Sequence, residues 1–391
     1  MTPPPSLVSA AEAPENTNLP RVPADPIVRN RFRGCLLGGA VGDALGAPVE
    51  FMDLGAIRQR FGHQGIQDFV PAYGKLGAIT DDTQMTMFTA EGMLRAFVRM
   101  RMRGIGPVFP SVTARAYLRW LLTQGYQCDA EPVDKPSGWL IEHRELFDRR
   151  APGNTCIAAL RAMKRPGDPA SNDSKGCGGV MRVAPVGMVM AQWEGDTNDE
   201  MTKRAFDIAC SLAGITHGHP TGQLAAGVLA AIVALVLNGM PLTEAIEKAK
   251  AQLCLHPGHL ETLLAIERAQ LLAECEPNRP DAIQKLGEGW VAEEALAISL
   301  YCALGAEDFE AGVVLAVNHS GDSDSTGAIT GNLLGALYGA EAIPPRWLRS
   351  LELRDVIMAM ADDLATFPEW DVGEHQASAE CAFYWKRYPG G

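Results

Sequence analysis

Apolar residues recur every three or four positions along most of this chain, which is the spacing of one face of an α-helix. One such set consists of Met87, Ala90, Leu94, Phe97 and Val98. The same pattern predicts helices over residues 111–122 and 287–304. The sequence lacks the sustained apolar–polar alternation between hairpin turns that is typical of strands. The chain is therefore predicted to be all-α, a single large orthogonal helical domain.

Residues 1–28 differ from the rest, because they contain seven prolines and follow neither a helical nor a strand period. This composition predicts an extended N-terminal segment without a packed core. Two interpretations stay open for it: a disordered tail, or an arm that lies across a partner or across the protein's own site. Residues 29–391 contain no linker-like stretch and are predicted to form one domain.

Two rows of glycine recur at every fourth residue, which places each row on one face of a helix. The rows are Gly34, Gly38, Gly42 and Gly46, and Gly327, Gly331, Gly335 and Gly339. Each Gly costs a helix about 1 kcal/mol relative to Ala, so the rows need a compensating reason. Close approach between the backbones of two helices would compensate for this cost in helix stability. The first of these helices is predicted to end before Pro48, which leaves Glu50 in a loop.

Paired carboxylates stand where two helices are predicted to begin. Asp322 and Asp324 precede the second glycine row, and Asp81 and Asp82 follow Thr80 ahead of another apolar pattern. Acidic residues at a helix start are also ordinary caps, which is the alternative interpretation. If the two starts converge, carboxylates so close together require protonation or a cation. Ligands that are all oxygen select Mg²⁺, Mn²⁺ or Ca²⁺ rather than zinc.

A glycine-rich loop at residues 171–182 precedes another apolar stretch. Its glycines, with Ser174 and Lys175, allow backbone N–H groups to approach an anion, although the spacing is not that of a Walker motif. A tight structural turn is the competing interpretation. His217 and His219 follow at residues 216–220, where a hydrogen-bonding imidazole at a pocket wall and a helix cap are favoured over a metal pair.

Residues 51–79 are Gly-rich and predicted to be irregular, and Asn154 or Thr155 is predicted to cap a helix.

The composition limits the kinds of partner and compartment that are predicted for this protein. The net charge of −13 and the lack of a Lys/Arg run argue against a nucleic-acid partner. Nine scattered cysteines without a Cys-x-x-Cys pair favour a reducing, cytoplasmic compartment. The most apolar run, residues 224–237, is shorter than the roughly 20 residues of a membrane span, so a buried core helix and no membrane partner are predicted.

Taken together, these stretches resemble the ADP-ribosylglycohydrolase family, in the family's order over about residues 31–339. The residues that carry the resemblance are Gly42-Asp43-Ala44-Leu45-Gly46 with Glu50, Thr80-Asp81-Asp82-Thr83, Arg150-Ala151-Pro152-Gly153-Asn154-Thr155, the segment 176–182, Thr216-His217, and Gly321-Asp322-Ser323-Asp324-Ser325. The resemblance implies an all-α catalytic domain at residues 29–391 that holds two Mg²⁺ ions, with Mn²⁺ as the alternative.

The resemblance also implies roles for individual residues. The metal ligands would be Thr80, Asp81, Asp82, Asp322, Asp324 and Ser325. The catalytic group would consist of Glu50, Asp43 and Asp322, with Glu50 beside the metals and Asp43 supporting substrate or water. The substrate's diphosphate would be held by Ser174, Gly176, Cys177, Gly178, Gly179 and His217. This chain departs from the family at Ser325, where Thr is common, and at Cys177, where an amide is common.

The activity that the resemblance implies is release of ADP-ribose from modified protein side chains, with N-linked ADP-ribosyl-arginine as the expected substrate and an ADP-ribosylated protein as the partner. Three alternatives stay open. The chain could be an immunity-type protein that occludes an ADP-ribosyltransferase through its N-terminal extension. It could be a catalytically inactive family member, which the complete acidic set argues against. It could also be a two-metal phosphoesterase that releases AMP from ADP-ribose.

Overall fold

The computed structural model describes residues 25–130, 136–375 and 377–390. Within them the chain forms seventeen α-helices and short 3-10 turns, and no strand. The all-α prediction is therefore confirmed. The proposed arm at residues 1–28 falls almost entirely outside the described residues.

Helix bounds are given in chain order. The helices are α1 (Pro26–Gly46), α2 (Leu54–Phe61), α3 (Asp81–Arg103), α4 (Phe109–Thr123), α5 (Asn154–Ala162), α6 (Ala184–Ala191), α7 (Asn198–Gly214), α8 (Pro220–Leu237), α9 (Leu242–Leu253), α10 (Leu260–Cys275), α11 (Pro280–Ile283), α12 (Ala292–Gly305), α13 (Phe309–Val317), α14 (Ser323–Tyr338), α15 (Pro345–Ser350), α16 (Arg354–Thr366) and α17 (Ala379–Arg387).

The two glycine rows pack against each other, because α1 and α14 lie side by side in backbone contact. A Cβ atom built on Gly42 would lie 1.9 Å from the carbonyl oxygen of Gly327, and one on Gly331 would lie 2.0 Å from that of Gly38. No side chain fits in these gaps, so the close approach predicted from the glycine spacing is confirmed. The pair places the end of α1 beside the start of α14.

The apolar helix α8 lies in the core and packs on α6, α7 and α9. By length and composition α8 could cross a membrane, but 89% of it is buried inside the molecule. The interpretation of residues 224–237 as a core helix is confirmed. Near the C-terminus, Trp370 stacks on Tyr384 with ring centroids 3.7 Å apart, and this stacking packs the C-terminal segment against the domain.

Some predicted boundaries were wrong for local reasons. Residues 51–79 are not irregular throughout, because the Asp53 side chain accepts a hydrogen bond from the Ala56 N–H at 2.7 Å and caps α2. Residues 287–291 are not helical, since Gly287 and Gly289 adopt φ of 120° and 84°. Helix α1 begins at Pro26, inside the segment 1–28 that was predicted to be extended, and Pro26 occupies its first turn.

The predicted cap of α5 was displaced by one residue. Gly153 is the N-cap and makes no side-chain cap hydrogen bond, while Asn154 is already helical. The N–H of Gly153 instead lies 3.3 Å from Asp81 Oδ2, to which it donates. The N-cap residue of α5 thus contacts a carboxylate of the predicted metal site.

Candidate metal centre and substrate cleft

Five buried carboxylates meet where α3 and α14 begin. Asp81 and Asp82 occupy the first turn of α3, Asp322 is the N-cap residue of α14, and Asp324 lies in its first turn. Glu50 joins them from the turn after α1, since Gly46 packs directly on the backbone of residue 324. Oxygens of Glu50, Asp322 and Asp324 lie within 4.8 Å of one another. The glycine contact between α1 and α14 therefore assembles the cluster.

The electrostatics of this cluster favour a cation. Burial, followed by repulsion from Asp324, raises the pKa of Glu50 to about 10 and holds the pKa of Asp82 well above its ordinary value. Two buried oxygens, Glu50 Oε2 and Asp82 Oδ1, have no hydrogen-bond partner in the part of the chain that the structure describes. No Lys or Arg lies among the described residues that line the surrounding cavity. An all-oxygen set of this kind fits a hard divalent ion.

Asp43 lies behind this cluster and not in the cavity wall. Its carboxylate accepts hydrogen bonds from the N–H groups of Thr80 at 3.0 Å and Thr83 at 3.1 Å, and from the Thr83 hydroxyl. Burial, and then Asp324, raises its pKa to about 7. Asp43 thus fixes the start of α3.

The two predicted hydroxyl ligands differ in position. Thr80 is the N-cap of α3, and Ser325 lines the cavity.

We expect the metal-free protein to lose stability as the pH rises from 6.5 to 8.5. The pKa values of Asp43 and Glu50 lie above their ordinary values in the folded protein, so these groups favour folding most at low pH and lose that contribution as the pH rises toward about 7 and about 10. The fall should be about 2 kcal/mol. An unfolded histidine is half protonated at pH 6.5, so the buried neutral His217 and His319 oppose this fall, by less than about 1 kcal/mol in total.

Urea unfolding in EDTA at the two pH values measures this change. Saturating Mg²⁺ should reduce or reverse it, because a bound cation stabilises the charged carboxylates, and Glu50→Gln should reduce it without metal. Equal stability of the EDTA-treated wild type at both pH values would contradict the expectation.

A cavity of about 490 Å³ opens beside the carboxylates. Its floor holds the acidic cluster, and its walls come from the start of α5, the glycine loop and two aromatic side chains. The residues that line it are Glu50, Phe51, Asp81, Asp82, Ala151, Pro152, Gly153, Asn154, Thr155, Cys156, Gly176, Cys177, Gly178, Met181, His217, Trp290, Asp322, Asp324 and Ser325. Most of the predicted site residues are thus brought together around one cleft.

Two backbone hydrogen bonds to the start of α12 and the segment before it fix the conformation of the glycine-rich loop at residues 171–182. The Cys177 N–H donates to the Trp290 carbonyl at 3.1 Å, and the Ala292 N–H donates to the Lys175 carbonyl at 2.8 Å. A Cβ atom on Gly178 would lie 2.9 Å from Cys156 Sγ and close to the His217 ring, so a larger residue would displace one of them. The loop therefore presents backbone to the cleft.

Two predicted substrate residues of this loop lie outside the cavity wall. Ser174 Oγ accepts a hydrogen bond from the Gly176 N–H at 3.3 Å, so it braces the loop. Gly179 packs against the carbonyl of Gly222. Cys177 does face the cleft, and its sulfur accepts a hydrogen bond from Ser325 Oγ at 3.6 Å. Burial and Asp322 hold the pKa of the Cys177 thiol well above its ordinary value, so it stays neutral.

Hydrogen bonds around His217 favour the tautomer that carries its hydrogen at Nε2. The buried Arg182 donates to Thr216 Oγ1 at 2.7 Å, so this oxygen acts as an acceptor there. Its single hydrogen is then available to His217 Nδ1 at 2.8 Å, while the Ala213 carbonyl lies farther away at 3.3 Å. Burial, and then Arg182, lowers the pKa of His217 to about 3, so the ring is neutral. A neutral ring that accepts at Nδ1 carries its hydrogen at Nε2, and Nε2 is available as a donor at the cleft.

If the cleft binds ADP-ribose, as the family resemblance implies, Thr216→Val should weaken that binding about tenfold, whereas Thr216→Ser should retain affinity. Valine cannot donate to His217 Nδ1, so the ring hydrogen can move there and Nε2 would face an anion with a lone pair. Titration calorimetry measures the affinity, and ¹⁵N NMR of the imidazole reports the tautomer. An Nε2–H tautomer and unchanged affinity in the valine variant would contradict this relay.

Sequence reasoning missed the two aromatic residues of the cleft, Phe51 and Trp290. Neither belongs to a periodic pattern, and the loops that carry them showed no local sign of a site. An apolar residue directly after Glu50 in a turn was the only available hint.

The role of the buried Arg150, which was part of the family resemblance, was also missed. Arg150 donates to the Ile79 carbonyl at 2.8 Å and pairs with Glu352. These contacts hold the segment before α3 in place.

The fold and the cleft define an all-α hydrolase with an acidic centre. A family model described as ADP-ribosylglycohydrolase matches residues 24–372. The chain belongs to the ADP-ribosylglycohydrolase family, and is thus a glycosidase that hydrolyses ADP-ribosyl groups.

Relatives cover most of the chain. The ADP-ribosyl-(dinitrogen reductase) glycohydrolase of Rhodospirillum rubrum is 27% identical over 334 residues, 84% of this chain and 92% of that protein. The ADP-ribosylarginine hydrolase Tri1 of Pseudomonas putida is 26% identical over 353 residues, 86% of this chain and 78% of that protein. A solved structure, described as an ADP-ribosylglycohydrolase-related protein complex, has a TM-score of 0.61 and 29% identity, and the match covers 86% of this chain and 98% of that one.

Proposed function

We propose that this protein uses divalent metal ions to release ADP-ribose from modified protein side chains, with N-linked ADP-ribosyl-arginine as its substrate. The observation that carries the proposal is the convergence of five buried carboxylates beside a backbone loop suited to anions. An acidic centre alone would fit many metal hydrolases. The neighbouring glycine loop adds a place for the diphosphate of an ADP-ribosyl group.

The residues that would hold the metal ions are Thr80, Asp81, Asp82, Asp322, Asp324 and Ser325. Two Mg²⁺ ions are proposed, with Mn²⁺ as the alternative, because the donors are oxygens. When bound, such ions would supply positive charge to orient the ribose hydroxyls and stabilise negative charge that develops during the reaction. Asp43 would act as a positioning residue through Thr80 and Thr83.

The chain's own groups would bind and orient the rest of the substrate. The Gly178 N–H and the Nε2–H of His217 would hold the diphosphate, since the N–H groups of Gly176 and Cys177 already donate within the protein. Glu50 would exchange a proton at the glycosidic bond, since Glu50 lines the cleft and its Oε2 has no hydrogen-bond partner among the described residues. Hydrolysis of such a bond passes through an oxocarbenium-like state, which a nearby carboxylate stabilises.

Arginine is proposed as the acceptor on two grounds. The relative from Pseudomonas putida is named as an ADP-ribosylarginine hydrolase. The cleft lining contains no Lys or Arg among the described residues, so no positive side chain of the protein opposes a cationic acceptor there. A cytoplasmic location is proposed as well, because all nine cysteines are free.

The test is release of ADP-ribose from Arg-linked and Ser-linked ADP-ribosylated proteins, with Mg²⁺ or with EDTA. We expect intact ADP-ribose from the Arg-linked protein with metal, and none with EDTA or with Asp322→Ala. Asp355→Ala is the matched control, because this aspartate is 72% exposed and distant in sequence from the cluster. Release of AMP from free ADP-ribose would indicate a phosphoesterase. No release from either protein would contradict the proposal.

The occlusion alternative depends on residues 1–28. It stays a prediction, and no contact of the described residues favours it. Removing residues 1–24, which leaves α1 whole, tests it: unchanged affinity for a candidate transferase would exclude the role of this arm.

A further inference from the structure

Two aromatic side chains form an exposed pair at the edge of the acidic cleft. Phe51 and Trp290 stack with ring centroids 5.8 Å apart and an interplanar angle of 18°. Phe51 is 73% exposed and Trp290 is 38% exposed, although both line the same cavity as the carboxylates. A single exposed Phe needs no explanation, but a stacked pair that borders a polar cavity offers a preformed surface for a planar group.

The backbone on either side of Trp290 is attached to the two functional parts of the site. The Glu288 carbonyl accepts from the Asp322 N–H at 2.8 Å, and a Cβ on Gly289 would lie 3.3 Å from the Asp322 side chain. The Trp290 carbonyl accepts from the Cys177 N–H at 3.1 Å. Trp290 is thereby held between the acidic cluster and the glycine loop.

Phe51 is fixed in the same way from the opposite wall. It follows Glu50 directly in the turn after α1, where the Met52 N–H donates to the Val49 carbonyl at 2.9 Å. The next helix is tied to the loop before Asp322, since the Leu54 N–H donates to Ser320 Oγ at 2.9 Å. Phe51 therefore adjoins in the chain the residue that is proposed to act at the glycosidic bond, and both line the same cavity.

We propose that Phe51 and Trp290 receive the guanidinium of the ADP-ribosylated arginine and so select arginine over serine as the acceptor. A guanidinium is planar and cationic, so it stacks on the faces of aromatic rings. A serine acceptor presents no such group and gains nothing from the pair. This inference rests on the proposed function and specifies its substrate.

Adenine is the other planar group of the substrate that could stack on the pair. Two riboses and a diphosphate separate adenine from the acceptor, and the acceptor is attached where Glu50 acts. Because Phe51 adjoins Glu50 in the chain, the acceptor fits the pair better. Free ADP-ribose distinguishes the two, since it contains adenine and lacks the acceptor.

The experiment compares wild type with Phe51→Ala, Trp290→Ala and the double variant. Trp385→Ala is the matched control, because it removes an aromatic side chain of similar exposure, 36%, from α17. We measure kcat/KM on Arg-linked and Ser-linked substrates, affinity for ADP-ribose, and Tm. The double variant should lose about 10- to 30-fold in kcat/KM on the Arg-linked substrate. Its ADP-ribose affinity and its rate on any Ser-linked substrate should change less than about threefold, in keeping with a stacking contact confined to the acceptor.

The outcomes separate this inference from the function on which it rests. An equal loss on both linkages, or a matching loss of ADP-ribose affinity, would overturn the acceptor role while leaving the hydrolase intact. Wild type that hydrolyses only the Ser-linked substrate would also overturn it. Wild type that releases ADP-ribose from neither substrate would overturn both proposals. A selective loss on the Arg-linked substrate, with Tm unchanged, supports the acceptor role.

Discussion

Replacing Asp324 with Asn is expected to abolish turnover and, at the same time, to stabilise the metal-free protein. Repulsion from Asp324 raises the pKa of Glu50, Asp81, Asp82 and Asp322, so Asp324 is the common source of unfavourable charge in the cluster. Asn keeps the shape and removes the charge. The free energy of unfolding in EDTA should rise by about 1–3 kcal/mol. Turnover should fall at least about 10³-fold, because a proposed metal ligand is lost.

Asp363→Asn provides the matched control. Asp363 is equally buried but is paired, since it accepts hydrogen bonds from Arg387 Nε at 2.6 Å and from the Tyr388 hydroxyl at 2.5 Å. The same substitution there should lower stability and leave turnover near the wild-type value. Urea unfolding in EDTA, metal titration calorimetry and the release assay give the three readouts. If Asp324→Asn destabilised the metal-free protein as much as Asp363→Asn does, repulsion among the carboxylates would not be lowering the stability of the metal-free protein.

Gly42→Ala is expected to lower the free energy of unfolding by about 3 kcal/mol or more. Helix propensity alone predicts the opposite sign, because Ala is favoured over Gly by about 1 kcal/mol within a helix. The new Cβ atom would lie 1.9 Å from the Gly327 carbonyl oxygen, so α1 and α14 would have to move apart. That movement would also separate Glu50 from Asp324, and turnover should fall with stability.

Gly55→Ala is the control for this prediction. Gly55 is an exposed residue of α2, and its Cβ atom would approach only the Asp53 side chain, at 3.1 Å. It should be neutral or stabilise the protein by up to about 1 kcal/mol. Urea unfolding of both variants checks the difference. A Gly42→Ala variant as stable as wild type would mean that the two helices are not in backbone contact in solution.

Local patterns allowed much of this protein to be predicted. The period of the apolar residues indicated helices and the all-α class, since amphipathicity follows from the turn of the helix itself. The glycine rows indicated that two helices approach another backbone closely. Acidic residues at two helix starts indicated a cation site if those starts met. The ligand roles of Thr80 and Ser325 remain predictions that come from the family resemblance.

Other features depended on residues that are distant in the chain. The start of α12 was predicted too early, because Gly287 and Gly289 adopt positive φ in a loop whose Glu288 carbonyl accepts a hydrogen bond from the distant Asp322 N–H. The helix α2 was missed because a short segment with a single capping Asp is a weak pattern. Phe51 and Trp290 carry no periodic feature, and only the path of two loops places their rings together.

The sequence by itself determined the all-α class, the acidic pairs at two helix starts and the helix faces that can approach another backbone, because these properties depend on residues a few positions apart. The tertiary structure alone decided that α1 pairs with α14, that Glu50 joins the carboxylates of α3 and α14, and that two aromatic rings border them. The reason is physical: a glycine row fits any complementary surface, and only the packing of the whole core selects one partner for it.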